Sequence, residues 1–504
     1  MFMAILDIQV VATSLPTIQG ALAIPADQMS WVQTAYLIAE VVAIPLTGVL
    51  TRMLSMRLLF VLATLIFTLA SLGCAASSSF TALVAWRVLQ GFSGGTLIPV
   101  VFAAVFLLFP ARRQNVATML AGVLAVLAPT AGPIVGGWIT DTYSWHWLFL
   151  INILPGIAAT IAAFLLLPRV AIRLREARTL DIQSLALMAT ALAALEIALK
   201  EAPGRGWTAG LVIGLLVLSA ACLVRFIGRT RIALHPIVSL GSFAQRPFAI
   251  GCVLSFVLGI GLFGSVYLMP VFLAFVRHHT ALEIGTTMLV TGAAQLLMAP
   301  VAVALEQRVG PSVLTAVGFA AFAAGLAFSA WQTPQTDFDG MFWPQVIRGL
   351  AIMFCLLPPT RLALGHVSKA LVADASGLFN LMRNLGGAIG IALIDTIIYS
   401  RAPTHAAEIA RRLLAGDAET ARWIGLPVAL ITATPGHAPD AMAATQIAPL
   451  IEAAALRGAI NDAWGMVAVL TVAALLCVPF AIGNGPATPD RDPEAADRNR
   501  VSFK

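Results

Sequence analysis

Charged residues are scarce in this chain of 504 residues. Asp, Glu, Lys and Arg together make up 11% of it, whereas 59% is hydrophobic, and an ordinary soluble domain is about 25% charged. So few charges cannot cover a water-exposed surface, and most of the surface must therefore face lipid. The sequence predicts an all-α polytopic membrane protein. The net charge of +6 comes from Arg residues between apolar runs, which indicates membrane orientation and not nucleic-acid binding.

Other scarcities exclude whole kinds of site. The five cysteines include no CxxC pair, which argues against a disulfide framework or a metal site. The sequence also lacks an HExxH motif, a nucleophile with a matching base and a Gly-rich phosphate loop, so it offers no catalytic or nucleotide-binding signature. We therefore predict a protein that is not an enzyme, holds no metal or cofactor, and draws energy from an ion gradient.

Fourteen apolar runs of about 20 residues are each long enough to cross a hydrocarbon layer of roughly 30 Å. They lie near residues 1–22, 31–50, 58–76, 80–108, 115–138, 147–167, 180–199, 208–227, 247–273, 283–305, 313–331, 342–365, 371–399 and 463–483. Positive residues collect on the cytoplasmic side when both termini are placed there. The short outer loops then hold only Lys200, Arg205 and Arg277.

An internal repeat divides the chain. "WRVLQGFSGG" from Trp86 is echoed in "PQVIRGLAIM" from Pro344, and "GVLTRMLSMR" from Gly48 in "VALEQRVGPS" from Val303. Two six-helix halves with two inserted helices explain this spacing, and duplicated halves are typical of secondary transporters. The predicted units are an N-terminal half at 1–168, a linker with two extra spans at 169–246, a C-terminal half at 247–483 that includes an outer loop at 400–462, and a disordered tail at 484–504.

The fifth span carries the longest motif, "LAPTAGPIVGGWITD" from Leu127, followed by "SWHWLFLINILPG" from Ser144. Gly132, Gly136 and Gly137 allow another helix to approach closely, and Pro133 removes a backbone donor and bends the helix. With "WRVLQGFSGG" in span 4, this motif resembles the fourteen-helix drug:proton antiporters of the major facilitator superfamily (EmrB/QacA-like). The resemblance implies that the glycine motif favours exchange by sealing one access route; simple close packing is the alternative.

The same resemblance implies roles for other residues. It places Arg87 in proton coupling, with a purely structural Arg as the alternative, and it makes Gln90, Asn380, Arg383 and Asn384 candidates for the transport path. The loop "GVLTRMLSMR" resembles the family's cytoplasmic latch.

This copy of the latch is degenerate, and a role beyond packing is expected only for Gly48 and Arg57. Arg52 stands where the family commonly has an acid. Either the latch is weakened or another carboxylate supplies the partner.

Two acids are the predicted proton carriers. Asp7 in "AILDIQVVATSLP" and Glu40 in span 2 lie within apolar runs, where a charge costs roughly 2.5–3.5 kcal/mol. Asp7 follows Met1 by only six residues, whereas the resemblance implies more apolar residues before it, so we expect the true start to lie upstream and Asp7 to lie near the midplane. The alternative is a wetted helix-end acid near the cytoplasmic interface. Glu196 and Asp395, near outer span ends, are expected to be wetted, with substrate contact as the alternative.

The combined prediction is a proton-coupled exporter of hydrophobic or amphipathic compounds that works by alternating access in a bacterial cytoplasmic (inner) membrane. Its expected partners are the small amphipathic substrate, protons and membrane lipid. The resemblance adds a periplasmic adaptor and an outer-membrane channel. The alternative is a uniporter or proton-coupled transporter of a metabolite, such as a sugar or an organic acid, on the same fold.

Overall fold

The computed structural model describes residues 1–23, 31–170, 181–233, 236–306, 308–365, 367–368, 370–426 and 441–481. Regular structure in these ranges is entirely helical, which confirms the predicted all-α class. The α-helices are α1 (Phe2–Thr13), α2 (Leu15–Leu22), α3 (Trp31–Ala43), α4 (Thr47–Leu54), α5 (Met56–Ala75), α6 (Phe80–Leu108), α7 (Ala111–Thr142), α8 (Trp147–Leu150), α9 (Ile153–Leu166), α10 (Ile182–Arg205), α11 (Gly210–Ile232), α12 (Arg246–Phe275), α13 (Ala281–Glu306), α14 (Pro311–Phe328), α15 (Phe338–Leu364), α16 (Val372–Leu414), α17 (Ala418–Trp423) and α18 (Ala441–Ala474).

The described helices include 12 that are long and apolar enough to cross a membrane, and 13 when the bent helix α7 counts as one. The remaining predicted span, 1–22, is formed by α1 and α2, which are individually too short for a crossing. Fourteen spans are therefore consistent with the structure but not fully established by it. Large apolar side chains such as Leu154 and Leu166 point away from the protein, with 79% and 82% exposure, as lipid-facing residues do.

Helices pack in the same pairs in the two parts of the chain. In the first part α1 packs on α7, α3 on α6, and α5 on both α6 and α9. In the second part α12 packs on α16, α13 on α15, and α14 on both α15 and α18. The two sets meet where α7 contacts α13 and where α16 contacts α4 and α6. This correspondence is the structural counterpart of the sequence repeat.

Helices α10 and α11 form a pair between these sets, and α10 contacts α3 and α16. Asp181 begins α10 as its N-cap: its carboxylate accepts a hydrogen bond from Ser184 N at 3.1 Å and pairs with Arg229 of α11 at 2.9 Å. The hydrogen bond from the Ser184 hydroxyl, followed by those from the Ser184 backbone and Arg229, lowers the pKa of Asp181 to about 2. The cap and the ion pair hold the two helices together at this end.

Over its described residues the predicted outer loop at 400–462 is largely helical. The amphipathic spacing of "HAAEIARRLLAGDAETARWIG" from His405 predicts a surface helix there. In the structure this helix is the continuation of α16 to Leu414, α17 follows, and α18 begins at Ala441 instead of near 463, because a helix can extend beyond the membrane on polar residues. Ile409, Leu413 and Ala455 belong to a small separate core in this region. The tail at 484–504 lies outside the described residues, as do residues 171–180 of the predicted linker.

Candidate functional site: a buried charge network

The side chain of Arg87 on α6 forms a salt bridge with Asp7 on α1. Arg87 Nη1 lies 2.5 Å from Asp7 Oδ2, and both side chains are completely buried. Arg87 Nε also donates to the carbonyl of Val32 at 3.0 Å, and its guanidinium lies 4.3 Å from the ring centroid of Tyr36. The arginine that the sequence singled out therefore meets one of the two predicted proton carriers directly.

Three amide and hydroxyl side chains complete the network. Gln90, one turn after Arg87, donates to Asp7 Oδ1 at 3.0 Å and to the Ser71 hydroxyl at 2.8 Å. Asn152 donates to the same Asp7 oxygen at 2.7 Å. The carboxylate of Asp7 thus receives hydrogen bonds from α6 and from the start of α9, and Arg87 Nη1 also donates to Gln90 Oε1 at 2.7 Å. Such a network is energetically costly if any one member is lost.

Of the two interpretations of Asp7, the wetted helix-end acid is wrong. Asp7 has 0% exposure and shares hydrogen-bond partners with Ser71, which lies one turn before the end of α5 at Ala75. That end is the predicted outer side, opposite to the cytoplasmic interface of that interpretation. The depth of Asp7 in the membrane depends on how α1 packs on α7. The residue number alone does not reveal this packing.

Glu40 lies close to this network without joining it. It is one turn after Tyr36 on α3 and is 4% exposed, and its backbone contacts Gly95 near the middle of α6. No ion pair to Glu40 is found among the described residues. Glu196, on α10, is partly exposed, which is consistent with the expectation that it is wetted.

The glycine motif lies on α7, which packs against α1 of the first half and α13 of the second. A Cβ at Gly132 would collide with Gln9 of α1, and Ile134 packs against Gly285 of α13. Gly136 and Gly137 are buried. The axis of α7 turns by 43° between Arg112–Pro129 and Ile134–Thr140. Pro133 lies in this break, where its missing N–H weakens the helix.

The latch loop finds its carboxylate in the other part of the chain. Arg52 Nη1 lies 2.5 Å from Asp374 Oδ1 at the start of α16, with Asp374 1% exposed, and a Cβ at Gly48 would collide with Asp374. Arg57 donates to the carbonyl of Phe164 at 2.5 Å and stacks on its ring. The sequence left two alternatives open, a weakened latch or a carboxylate from another segment. The structure shows the second, because Asp374 pairs with Arg52.

The candidate path residues on α16 lie elsewhere. Arg383 is buried between the rings of Phe102 and Phe379, 5.6 and 5.5 Å from their centroids. Phe102 is fifteen residues beyond Arg87 on α6, or about 22 Å at 1.5 Å per residue. Asn380 donates to the carbonyl of Ser376 at 2.9 Å, and Asn384 is partly exposed. The structure thus separates Asn380, Arg383 and Asn384 from the Asp7 network.

Sequence reasoning gave no role to Asn152, Ser71 or Asp374. Asn152 ends the "SWHWLFLIN" stretch, so that motif could have identified it. Ser71 carried no signal, since a hydroxyl in an apolar helix commonly bonds to its own helix. The described residues contain no group of three or more His, Cys, Asp or Glu side chains that could hold a metal ion.

The sequence profile of the Major Facilitator Superfamily matches residues 1–391. The chain belongs to this superfamily. It is 37% identical to the colistin resistance protein EmrB of Acinetobacter baumannii over 81% of this chain and 80% of that protein. It is 31% identical to the multidrug export protein EmrB of Escherichia coli over the same shares. The human organic anion transporter MFSD10 (TETRAN) has the same fold, with a TM-score of 0.58 and 14% identity over 95% of this chain and 97% of that one.

In a transporter superfamily, the groups of the Asp7 network that can bind and release a proton are of interest. A carboxylate can bind and release one proton, whereas arginine cannot. The network therefore contains one exchangeable proton site, Asp7, held beside a permanent charge, Arg87. Glu40 adds a second buried acid one turn from the aromatic ring that contacts Arg87.

Proposed function

We propose that this major facilitator protein is a proton-coupled exporter of hydrophobic or amphipathic compounds. One observation supports it above the others: the completely buried Asp7–Arg87 pair. A buried ion pair contributes little net stability, so its position inside a transporter favours a working role. The named relatives are resistance and export proteins, which favours export over the metabolite alternative.

Protonation of Asp7 supplies the coupling. When Asp7 takes up a proton, Arg87 keeps its charge but loses its counter-ion inside the membrane. Leaving one charge of a buried pair uncompensated costs about 3–5 kcal/mol. The helices relieve this cost by moving so that water or the substrate reaches Arg87. The proton thus shifts the balance between two packings of α1, α3 and α6.

Glu40 serves as the second proton site in this proposal. Its backbone packs against Gly95 near the middle of α6, eight residues further along α3 than Val32, whose carbonyl accepts a hydrogen bond from Arg87. Two buried acids at different depths allow protons and a cationic substrate to replace one another. Arg383, Asn380, Asn384 and Gln90 are proposed to line the path of the substrate.

The glycine motif and the latch keep the two halves in contact during this cycle. Gly132, Pro133, Gly136 and Gly137 shape the bent helix that packs on α13. Gly48 and Arg52 join α4 to Asp374, and Arg57 secures the same end on α9. Opening the cytoplasmic side requires the Arg52–Asp374 pair to separate.

We place the protein in the cytoplasmic (inner) membrane of a bacterium, with both termini inside. Where a second membrane is present, a periplasmic adaptor and an outer-membrane channel are the proposed partners, because export must then cross both membranes. Cysteine labelling from outside tests the orientation, and cross-linking followed by co-purification tests the adaptor.

Drug susceptibility tests the function. The protein is expressed in a bacterial strain without its main pumps, and growth is measured against a panel of amphipathic drugs. Wild type should raise resistance, and Asp7→Asn should abolish the gain at equal expression. Asp462→Asn is the matched control, because Asp462 is an acid with 42% exposure outside the network. Resistance that survives in Asp7→Asn would remove Asp7 from the mechanism.

A further inference from the structure

A small cavity lies in the second half of the molecule, at the predicted outer side. It has a volume of about 40 Å³, and its lining includes Met269, Gln332, Thr336, Arg348 and Trp464. Helices α12, α15 and α18 supply three of these side chains. The cavity is far along the chain from Asp7, and the mechanism above uses none of its residues.

Arg348 enters this cavity without a counter-ion. Its side chain is buried, with 3% exposure, and among the described residues no carboxylate forms an ion pair with it. Nε and Nη1 have no hydrogen-bond partner, and Nη2 reaches only the sulfur of Met269 at 3.8 Å. The guanidinium lies 4.8 Å from the ring centroid of Trp464. A stacked ring cannot neutralise a buried charge, so the charge of Arg348 is not compensated by any described residue.

A further unpaired donor lines the same cavity. Nε1 of Trp464 is buried without an acceptor. The unpaired acceptor here is Oε1 of Gln332, whose amide can rotate to present its nitrogen instead. A cluster of donors around one positive charge recognises a negative ion.

Arg348 differs from Arg87 in having no carboxylate partner among the described residues. Both arginines lie on helices that occupy matching places in the two halves, α6 and α15. Arg87 receives the carboxylate of Asp7 from its own half, whereas nothing described in the chain supplies one to Arg348. A buried arginine is thus paired with a carboxylate of its own half in the first half, and has no such partner among the described residues in the second.

We propose that the Arg348 cavity binds a small monovalent anion. A water molecule needs about 10–15 Å³ of such volume, so the cavity accepts a halide ion or one carboxylate group. The anion is either a free inorganic ion or the head group of a carboxylate-bearing substrate. It accepts hydrogen bonds from Arg348 and Trp464 and neutralises the buried guanidinium.

Equilibrium binding tests this site on the purified full chain in detergent, in a buffer whose anion is a bulky sulfonate. The probes are radiolabelled chloride and radiolabelled octanoate. Arg348→Gln should bind chloride at least about tenfold more weakly than wild type, since the charged donors are lost. Arg457→Gln is the matched control, because Arg457 is also buried and stacked on a ring, that of Trp423, away from the cavity.

Two further measurements test the site independently of Arg348→Gln and identify the class of anion. Trp464→Phe preserves the ring while removing one donor, and it should weaken chloride several-fold even if Arg348→Gln does not fold. Octanoate that displaces chloride identifies a carboxylate ligand, and octanoate that does not displace it identifies a free inorganic ion. Wild type without saturable binding of either probe, or equal binding by Arg348→Gln, overturns the proposal. Neither readout needs a proton gradient, so the result is separate from the proposed export.

Discussion

At the scale of single residues, the stability cost of a substitution depends on how each buried charge is compensated. Asp7 and Arg87 compensate one another completely within the protein, while Asp374 is buried and Arg52 is 32% exposed. Removing one member therefore has a cost that depends on what remains. A remaining charge that reaches water costs little, and a remaining charge that cannot reach water costs several kcal/mol.

Asp7→Asn and Arg87→Gln should each destabilise the protein by about 3–5 kcal/mol. Each leaves a buried charge without its partner. The double variant should cost less than the sum of the two, because it leaves no charge. Denaturant unfolding in detergent measures all three. Additive losses would mean that the two side chains do not interact in the folded protein.

The two sides of the latch should respond unequally. Arg52→Ala leaves the carboxylate of Asp374 buried and unpaired and should cost about 3 kcal/mol or more. Asp374→Asn leaves Arg52 able to reach water and should cost less than about 1 kcal/mol. The same unfolding assay compares them. A larger loss in Asp374→Asn would show that the carboxylate is held by something other than Arg52.

At the scale of helices, the depth of each acid is set by close helix packing. Gly95 of α6 lies against the backbone of Glu40, and a Cβ there would be 2.5 Å from the Glu40 carbonyl oxygen. Small residues at such crossings let two membrane helices approach. The glycine therefore determines where α3 holds Glu40 relative to α6.

Gly95→Ala should lower stability by about 1–3 kcal/mol, the usual cost of overpacking, and should impair transport by displacing Glu40. Gly214→Ala on α11 is the control, since a Cβ at Gly214 meets nothing within 4 Å. Thermal unfolding and drug efflux are measured for both. Equal behaviour of the two variants would refute the close contact between α3 and α6.

The helices also show how far sequence reasoning reaches. Thirteen of the fourteen predicted spans correspond to candidate membrane helices, because hydropathy and length carry that signal. Arg87 and Gln90 were identified as site residues in another way, through the resemblance of "WRVLQGFSGG" to a family motif. Amphipathic spacing predicts a helix from His405, but its continuity with the membrane-spanning part of α16 was not predicted, because the junction lies beyond the apolar window.

Pairings between distant segments were not predictable. Arg52 and Asp374 are 322 residues apart, and Asn152 is 145 residues from Asp7. Periodicity and composition describe a segment and not its neighbours in space. The location of Asp7 at the predicted outer side follows from packing of this kind.

At the scale of the whole molecule, the two halves must separate on one side while they meet on the other. The Arg52–Asp374 pair joins them at the predicted cytoplasmic end, and α7 with α13 joins them along the bent glycine motif. Proton binding at Asp7 and separation at Arg52 are distant events, connected through α6, which also contacts α16.

The charge-reversed double variant Arg52→Asp with Asp374→Arg should recover most of the transport lost in either single reversal. The pair attracts in both orientations, whereas each single reversal sets like charges against one another. Efflux rate in vesicles is the measurement. Double-variant activity no higher than that of the single reversals would remove this ion pair from the conformational cycle.

The central claim is that a proton at Asp7 drives export. The most direct measurement uses liposomes that contain the purified protein and records proton movement and amphipathic substrate movement together under an imposed pH gradient. The account predicts that wild type moves substrate against its gradient while protons flow the other way, and that Asp7→Asn loses both movements. Gradient-driven transport by Asp7→Asn at the wild-type rate would contradict it.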